Sequence, residues 1–325
     1  MRGNNQQDKS HISGNYKYYE ARWFAGEQEP GYLKGFYYER KGINVLSSLD
    51  IEKKTRALYT IEDIVSAMKA YAGVTIRRTE DIVQNIRAYE KNLLYAMADI
   101  ITHYPEISLR EQNKGKRILA AFGSSQGLCG SYNEKMVDVI SRVITHNDML
   151  FVIGKRLKLS LELKHIAYGD ASDSVASISG IPSALKETVS KIMNIYRKEE
   201  FYNLTLVFTY IFEKKAEVSV EHILPPDTRK IIAFKPTKIP PFTYLRPKKI
   251  FEKILEEFLF ISLYRCYMES LRSENWYRLR SMEGASETLK RQLSSLNSMQ
   301  MYTRQEEITE EMLEILGSGM FYRKC

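Results

Sequence analysis

The sequence predicts an α/β protein in which two very long helices, one near each end of the chain, form an antiparallel coiled coil around an inserted α/β domain. Three observations carry that reading. Apolar residues recur at three- and four-residue steps from Ile51 to Tyr104, and again from Ile250 to Leu296. No proline occurs after Pro247, so nothing breaks the second run. Between the two runs, short apolar segments alternate with amphipathic helical ones, the pattern of a mostly parallel sheet with crossover helices.

Residues 1–46 stand apart. Residues 1–13 are polar, and 16–38 are crowded with aromatics and broken by Gly26, Pro30, Gly31 and Gly35. No helical or strand period survives there, and a poorly ordered or loosely docked extension is expected. Its acids, Asp8, Glu20, Glu27 and Glu29, argue against a transit peptide. The next segment, 47–112, is read as the first shaft helix. Ser48 or Asp50 is available as N-cap, and the helix ends before Pro105 because the residue preceding a proline is pushed out of the helical region.

Residues 113–246 are read as a Rossmann-like α/β domain. Arg117–Phe122 is a short buried strand, 134–145 an amphipathic helix, 149–153 a second strand and 164–168 a weaker third. A helix over 182–198 begins near Pro182, 204–212 is a β-branched and aromatic strand, and 217–224 alternates like an edge strand. Pro225, Pro226, Pro236, Pro240, Pro241 and Pro247 then form an extended linker.

The segment 247–325 is the second shaft helix. About seventy helical residues span roughly 100 Å, about twice the width of a domain of this size, so most of the helix must leave its own globule and needs a partner. Within it Met282, Ser286, Leu289, Leu293, Leu296, Gln300 and Thr303 keep the 4-3 spacing of a two-stranded coil, with small or polar residues at several core sites. Leu289, Leu293 and Leu296 are expected to bury against residues 76–83 of the first helix.

Composition bounds the function. The chain has 325 residues, 44% hydrophobic, 27% charged and 11% aromatic, which is globular. A net charge of +8 and a pI near 9.1 favour acidic partners. A nucleic-acid-binding coil would need a basic stripe, whereas Glu306, Glu307, Glu310, Glu311 and Glu314 make the C-terminal end acidic. Three cysteines, far apart and odd in number, indicate neither a disulfide framework nor a metal knuckle, and the five histidines lack ligand spacing. No run of eighteen apolar residues is present.

The sharpest local signal is the glycine-rich stretch 123–133, GSSQGLCGSYN, between the first strand and the first helix of the α/β domain. Backbone N–H groups at such a turn can cradle a phosphate. The spacing does not fit G-x-G-x-x-G, and where a ribose-binding acid belongs the chain reads Gly154, Lys155, Arg156. Those bases suit a 2′-phosphate, so an NADP-dependent oxidoreductase with helical dimerisation arms is the alternative reading. Cys129, beside glycines at a helix start, is expected to have a depressed pKa. No Walker A pattern is present.

Three separated segments resemble the gamma subunit of F-type ATP synthases. Residues 68–78, MKAYAGVTIRR, are similar to its A-M-K-x-x-A-x-x-x-x-R-R helix, and 127–133, GLCGSYN, to its G-L-C-G-x-[FY]-N turn. Ser273-Glu274, RQEEIT at 304–309 and EMLEILG at 311–317 resemble its C-terminal S-E, R-Q-x-x-I-T and E-L-x-E-I-x-x-G. The turn and the SAMKA of 66–70 look more like the alternate, sodium-pump-type branch.

The resemblance implies a non-catalytic rotor shaft without cofactor or metal, its tip in a ring of catalytic and non-catalytic ATPase subunits. Its α/β domain would sit with an epsilon-type subunit on a membrane c-ring, coupling ATP synthesis or hydrolysis to proton or sodium translocation. It implies a hetero-oligomer peripheral to the cytoplasmic face of a bacterial or archaeal cell membrane rather than the mitochondrial inner membrane, and no nucleic acid. Met68, Lys69, Arg77, Arg78, Arg304 and Gln305 become the candidate ring contacts, and Gly127, Cys129, Gly130 and Asn133 a structural turn. Two features depart from the family: the N-terminal extension, and Tyr71, a bulky residue in the small-residue seam after Met68.

Overall fold

In the computed structural model, residues 48–321 are described, apart from 108–115, 176, 199–200, 202 and 214; the reading of 1–46 as an extension lies outside the described residues. The first helix, α1, runs Ser48–His103, and the last, α6, runs Pro247–Phe321. At 56 and 75 residues they are about 84 and 110 Å long. Ser48 and Asp50 lie inside the first turn of α1, so neither is its cap.

Between them lie β1 (Arg117–Phe122), α2 (Tyr132–Val143), β2 (Asp148–Ile153), α3 (Lys155–Leu163), β3 (Asp170–Ser172), α4 (Ile181–Lys198), β4 (Asn203–Phe212), β5 (Lys215–Leu224) and the short α5 (Thr228–Ile232). The sheet order is β3-β2-β1-β4-β5, parallel except for the antiparallel β4/β5 hairpin. Strand side chains alternate between two faces. Leu119, Ala121, Leu150, Val152 and Val207 pack on α2 and α3 through Met136, Ile140, Leu157 and Leu161. Ile118, Ala120, Phe122, Phe151, Leu206 and Phe208 form the other core with α4, α1 and α6, where Leu263, Cys266 and Leu271 are buried. The sheet is therefore a middle layer, and the two long helices are part of its cover.

Three elements differ from the sequence reading, the first being the stretch from Pro225 to Pro247, read as an extended linker, which contains the short helix α5. Residues 164–168 are not a strand: the chain turns through His165 at φ 55°, and the third strand is the three-residue β3, paired with Phe151–Ile153. The helix α3 was not anticipated. Its KRLKLSLEL alternates apolar and polar residues with the period of a strand, but it coils and buries Leu157 and Leu161 at i, i+4, leaving Leu159 and Leu163 exposed.

α1 and α6 pack antiparallel. Glu80 meets Arg272, Glu90 meets Arg265, and further out Val65 clusters with Met282 and Leu289. The 4-3 series falls on the buried side: Met282, Leu289 and Leu293 are buried and Ser286, Leu296 and Thr303 half-buried, although Gln300 is exposed. Its register is corrected, however. Leu289 meets Val65, Leu58 and Met68 instead of residues 76–83. The offset is set from the sheet, where α1 and α6 are anchored in a common core by Val83, Ile86 and Met97 on one side and Leu259, Leu263 and Leu271 on the other.

Candidate functional site

The turn after β1 is held by its own side chains and by α6. Gly123 N–H donates to the Ile153 carbonyl at 2.8 Å, and a Cβ at Gly123 would lie 2.2 Å from Leu157 Cβ, so no larger residue fits. The chain then reverses through Leu128 and Gly130, both in the left-handed region at φ 63° and 52°. Asn133 closes it: its Oδ1 accepts from Ser124 N–H at 3.1 Å and its Nδ2 donates to Ser124 Oγ at 2.8 Å. Gly127 lies against the Arg156 side chain, and its carbonyl accepts from Arg278 at 3.3 Å. Cys129 packs between Ser124 and Asn133, and burial pushes its thiol up. That is opposite to the expected depression, because a helix start stabilises a thiolate only where solvent or a cation reaches it.

Open doubly wound sheets bind ligands in the crevice beyond the carboxyl ends of their strands, where the strand order reverses. Here that crevice lies between β1 and β4, and α6 fills it. Tyr132 OH reaches the Phe122 and Ser270 carbonyls, both at 3.3 Å, and Ser273 Oγ donates to the Thr209 carbonyl at 2.9 Å. The gap left between Phe122, Gly123, Tyr267, Ser270 and Glu274 is too small for a water. An open cleft of about 720 Å³ does lie outside the turn, between α2 and α3. Glu134 and Glu162 line it beside Arg156, so a phosphate at the start of α2 would meet carboxylates. Lys155 is paired with Asp173 at 3.2 Å. Among the described residues no cluster of histidine, cysteine, aspartate or glutamate is placed to hold a metal, and no helix is long and apolar enough to cross a membrane.

Sequence reasoning missed Arg278. It is 1% exposed and bonds Asn275 at 2.8 Å, the Gly127 carbonyl and Glu274, bolting the turn to α6. Burial pushes the Glu274 carboxyl up, and Arg278 only partly offsets this. The signal was present as an i, i+4 glutamate–arginine pair beginning at the Ser273-Glu274 motif.

The candidate contact residues are distributed along the shaft. Met68 is half-buried at the edge of the Val65–Met282–Leu289 cluster, Lys69 is half-buried, and Arg77, Arg78, Arg304 and Gln305 are exposed. The structure does not bring them together: in the antiparallel pair, Arg304 lies near the start of α1, roughly 45 Å along the axis from Arg77. Tyr71 is corrected. It is 49% exposed and lies off the seam, whose small members are the buried Ala72, Thr75 and Thr79. Beyond Thr303, α6 runs on with Ile308, Met312, Leu313, Ile315 and Leu316 exposed.

A family model described as ATP synthase matches residues 47–320. The ATP synthase gamma chain of Clostridium botulinum (strain Kyoto / Type A2) is 26% identical over 287 residues, 83% of this chain and 96% of that one. That of Heliobacterium modesticaldum is 26% identical over 294 residues, 83% of this chain and 97% of its own. Among solved structures, the central stalk and c-ring of Tetrahymena thermophila mitochondrial ATP synthase contains a chain similar at a TM-score of 0.53 and 16% identity, with 69% and 99% coverage. The rotor of Euglena gracilis mitochondrial ATP synthase contains another, at 0.56 and 12%, with 81% and 99% coverage. At such identities the two structures show a likeness of fold.

Proposed function

The chain belongs to the ATP synthase family whose model spans its residues 47–320, and on that premise we propose that it is the gamma-type central-stalk subunit of a rotary ATP synthase. It has no catalytic site of its own. It couples ATP synthesis or hydrolysis in a surrounding ring of catalytic and non-catalytic subunits to proton or sodium movement through a membrane c-ring, with an epsilon-type subunit beside it. The chain is peripheral to the membrane, at its cytoplasmic face. We read 47–112 and 247–325 as the two arms of a coiled-coil shaft built on the antiparallel α1 and α6, and 113–246 as a Rossmann-like domain with the architecture of a nucleotide-binding sheet but not its site.

One observation carries the reading: the crevice that would hold a nucleotide is occupied by the chain's own α6, whose Ser270 carbonyl accepts from Tyr132 of α2 and whose Ser273 donates to the Thr209 carbonyl. The α/β domain thus grips a shaft where an oxidoreductase would bind its cofactor, which disfavours the NADP reading. Rotary coupling works by differential contact: an asymmetric shaft presents a different face to each catalytic subunit and biases each towards a different conformation. Met68, Lys69, Arg77, Arg78, Arg304 and Gln305 supply ring contacts at two heights of the shaft, and Gly127, Cys129, Gly130 and Asn133 keep the turn in place. Affinity purification of the tagged full chain from native membranes tests the proposal. Co-purification of P-loop ATPase ring subunits in a complex that hydrolyses ATP is expected. Recovery of the chain alone, binding NADP at micromolar concentration, would overturn it.

A further inference from the structure

We propose that six charges where the two long helices leave the sheet form a register lock: Glu80, Arg87 and Glu90 on α1 against Arg272, Glu269 and Arg265 on α6. Glu80 pairs with Arg272 at 2.7 Å, Arg87 with Glu269, and Glu90 with Arg265 at 2.8 Å. The signs alternate, negative-positive-negative along α1 and the complement along α6. Because the helices are antiparallel, a slip of one turn in one direction sets Glu90 against Glu269 and Arg87 against Arg272. A slip in the other direction sets Glu80 against Glu269 and Arg87 against Arg265. Each of these is a like-charge contact, and its α6 member is poorly solvated, the Glu269 side chain being 0% exposed, Arg265 8% and Arg272 15%, although Glu80 and Arg87 on α1 are about half exposed.

Alternation is the informative feature. Acids on one helix and bases on the other would make the same three pairs; mixing them adds attraction within each helix, Arg87 with Glu90 and Glu269 with Arg265 and Arg272, and it alone makes the slipped registers repulsive. The outer seam cannot supply the discrimination by itself, since Ala72, Thr75 and Thr79 are small and carry few shape constraints. Buried polar groups at a helix interface are an established means of fixing register. The lock also refers both helices to the sheet: Arg265 reaches Glu221 of β5 at 2.8 Å, and Ser262 Oγ donates to Glu90 at 2.9 Å. It lies wholly within this chain and is testable in the free chain, separately from membership in a rotary complex. In a shaft under torque, its consequence is that the outer contacts stay in phase with the sheet.

Spin labels at Lys54→Cys and Glu283→Cys, both exposed and well apart along the axis, read the helix offset in the full chain carrying Cys325→Ser; Cys129 and Cys266 are buried. A one-turn slip changes their separation by about 4 Å. With native charges one distance is expected. The swap Arg87→Glu with Glu269→Arg keeps three opposite-charge pairs but makes every slipped contact named above attractive. It places like charges three or four residues apart within each helix and lowers the melting temperature for that reason, but it should also show a second distance in at least about one molecule in ten, an outcome that a merely stabilising ion pair would not give. Glu80→Arg with Arg272→Glu, which leaves the fully buried Glu269 in place, relieves one like-charge contact in each slipped register and keeps the test open should the first swap fail to fold. A single unshifted distance in either folded swap overturns the lock.

Discussion

Replacing Leu289 with Ala should loosen the outer shaft without unfolding the sheet. Leu289 is 7% exposed and packs with Val65 and Met282, rimmed by Leu58, Met68 and Ala285. The change removes about three carbons at ~0.8 kcal/mol each, or about 2.4 kcal/mol. Core Leu→Ala changes range over about 2–5 kcal/mol, the upper part coming from the sealed void. A two-helix seam has no third layer to seal that void, so the cost stays near 2.5 kcal/mol. At about 1.4 kcal/mol per decade, this makes local opening about 60-fold more frequent. Hydrogen exchange on the purified chain should show amides of residues 282–296 exchanging faster by that factor, with those of β1 and β4 unchanged. Leu289→Met, which conserves volume, should exchange like the parent. Acceleration below about threefold, or equal acceleration in β1 and β4, would refute both the burial argument and the independence of the seam from the sheet.

Gly130→Ala meets no atom and pays only left-handed strain, about 1 kcal/mol, whereas Gly154→Ala adds a Cβ 2.6 Å from the Gly123 carbonyl oxygen at φ 116°. Differential scanning calorimetry should therefore show about twice the loss of melting temperature, or more, for the second. Burial alone would raise the Asp148 carboxyl, but hydrogen bonds from Arg117 and Thr145 outweigh it and hold the group below the usual range. Its contribution is then present above the unfolded pKa near 3.9 and lost as pH falls through the folded value. The melting deficit of Asp148→Asn should shrink between pH 6 and about pH 3, and a constant deficit would count against the pair. The isolated chain, titrated calorimetrically with NADP or ATP, should release no heat of binding at micromolar ligand, because α6 occupies the crevice.

The elements that the sequence revealed are those whose apolar period matches one constant neighbour. β1, β2 and β4 are buried on both faces and read as continuous apolar runs at the observed boundaries to within a residue. α3 was missed because alternating leucines suit two periods, and only the tertiary position of Leu157 under Gly123 decides between them. The turn was legible from Gly127 to Asn133, yet its role was not: the residue that fastens it, Arg278, lies 151 positions from Gly127. The register of the shaft was misjudged for a related reason. A 4-3 seam states which face is buried but not what lies opposite, and the offset comes from the sheet anchors and the cross-helix charges.

α6 makes the same point along its own length. Its first part, from Phe251 to Leu271, packs in the core of the sheet; residues 265–272 meet α1 through charge; 282–296 meet it through a narrow apolar seam; and beyond Thr303 its apolar residues Ile308, Met312, Leu313 and Leu316 are exposed. A helix whose partner changes this often has no single apolar face, so a constant amphipathic stripe is the wrong template for it. Each part instead suits a distinct mechanical task. Packing in the sheet resists rotation of the helix about its own axis, the charged collar resists sliding, and the thin seam keeps two helices together at small diameter. Beyond the seam, exposed Arg304, Met312 and Leu316 offer surface to other chains.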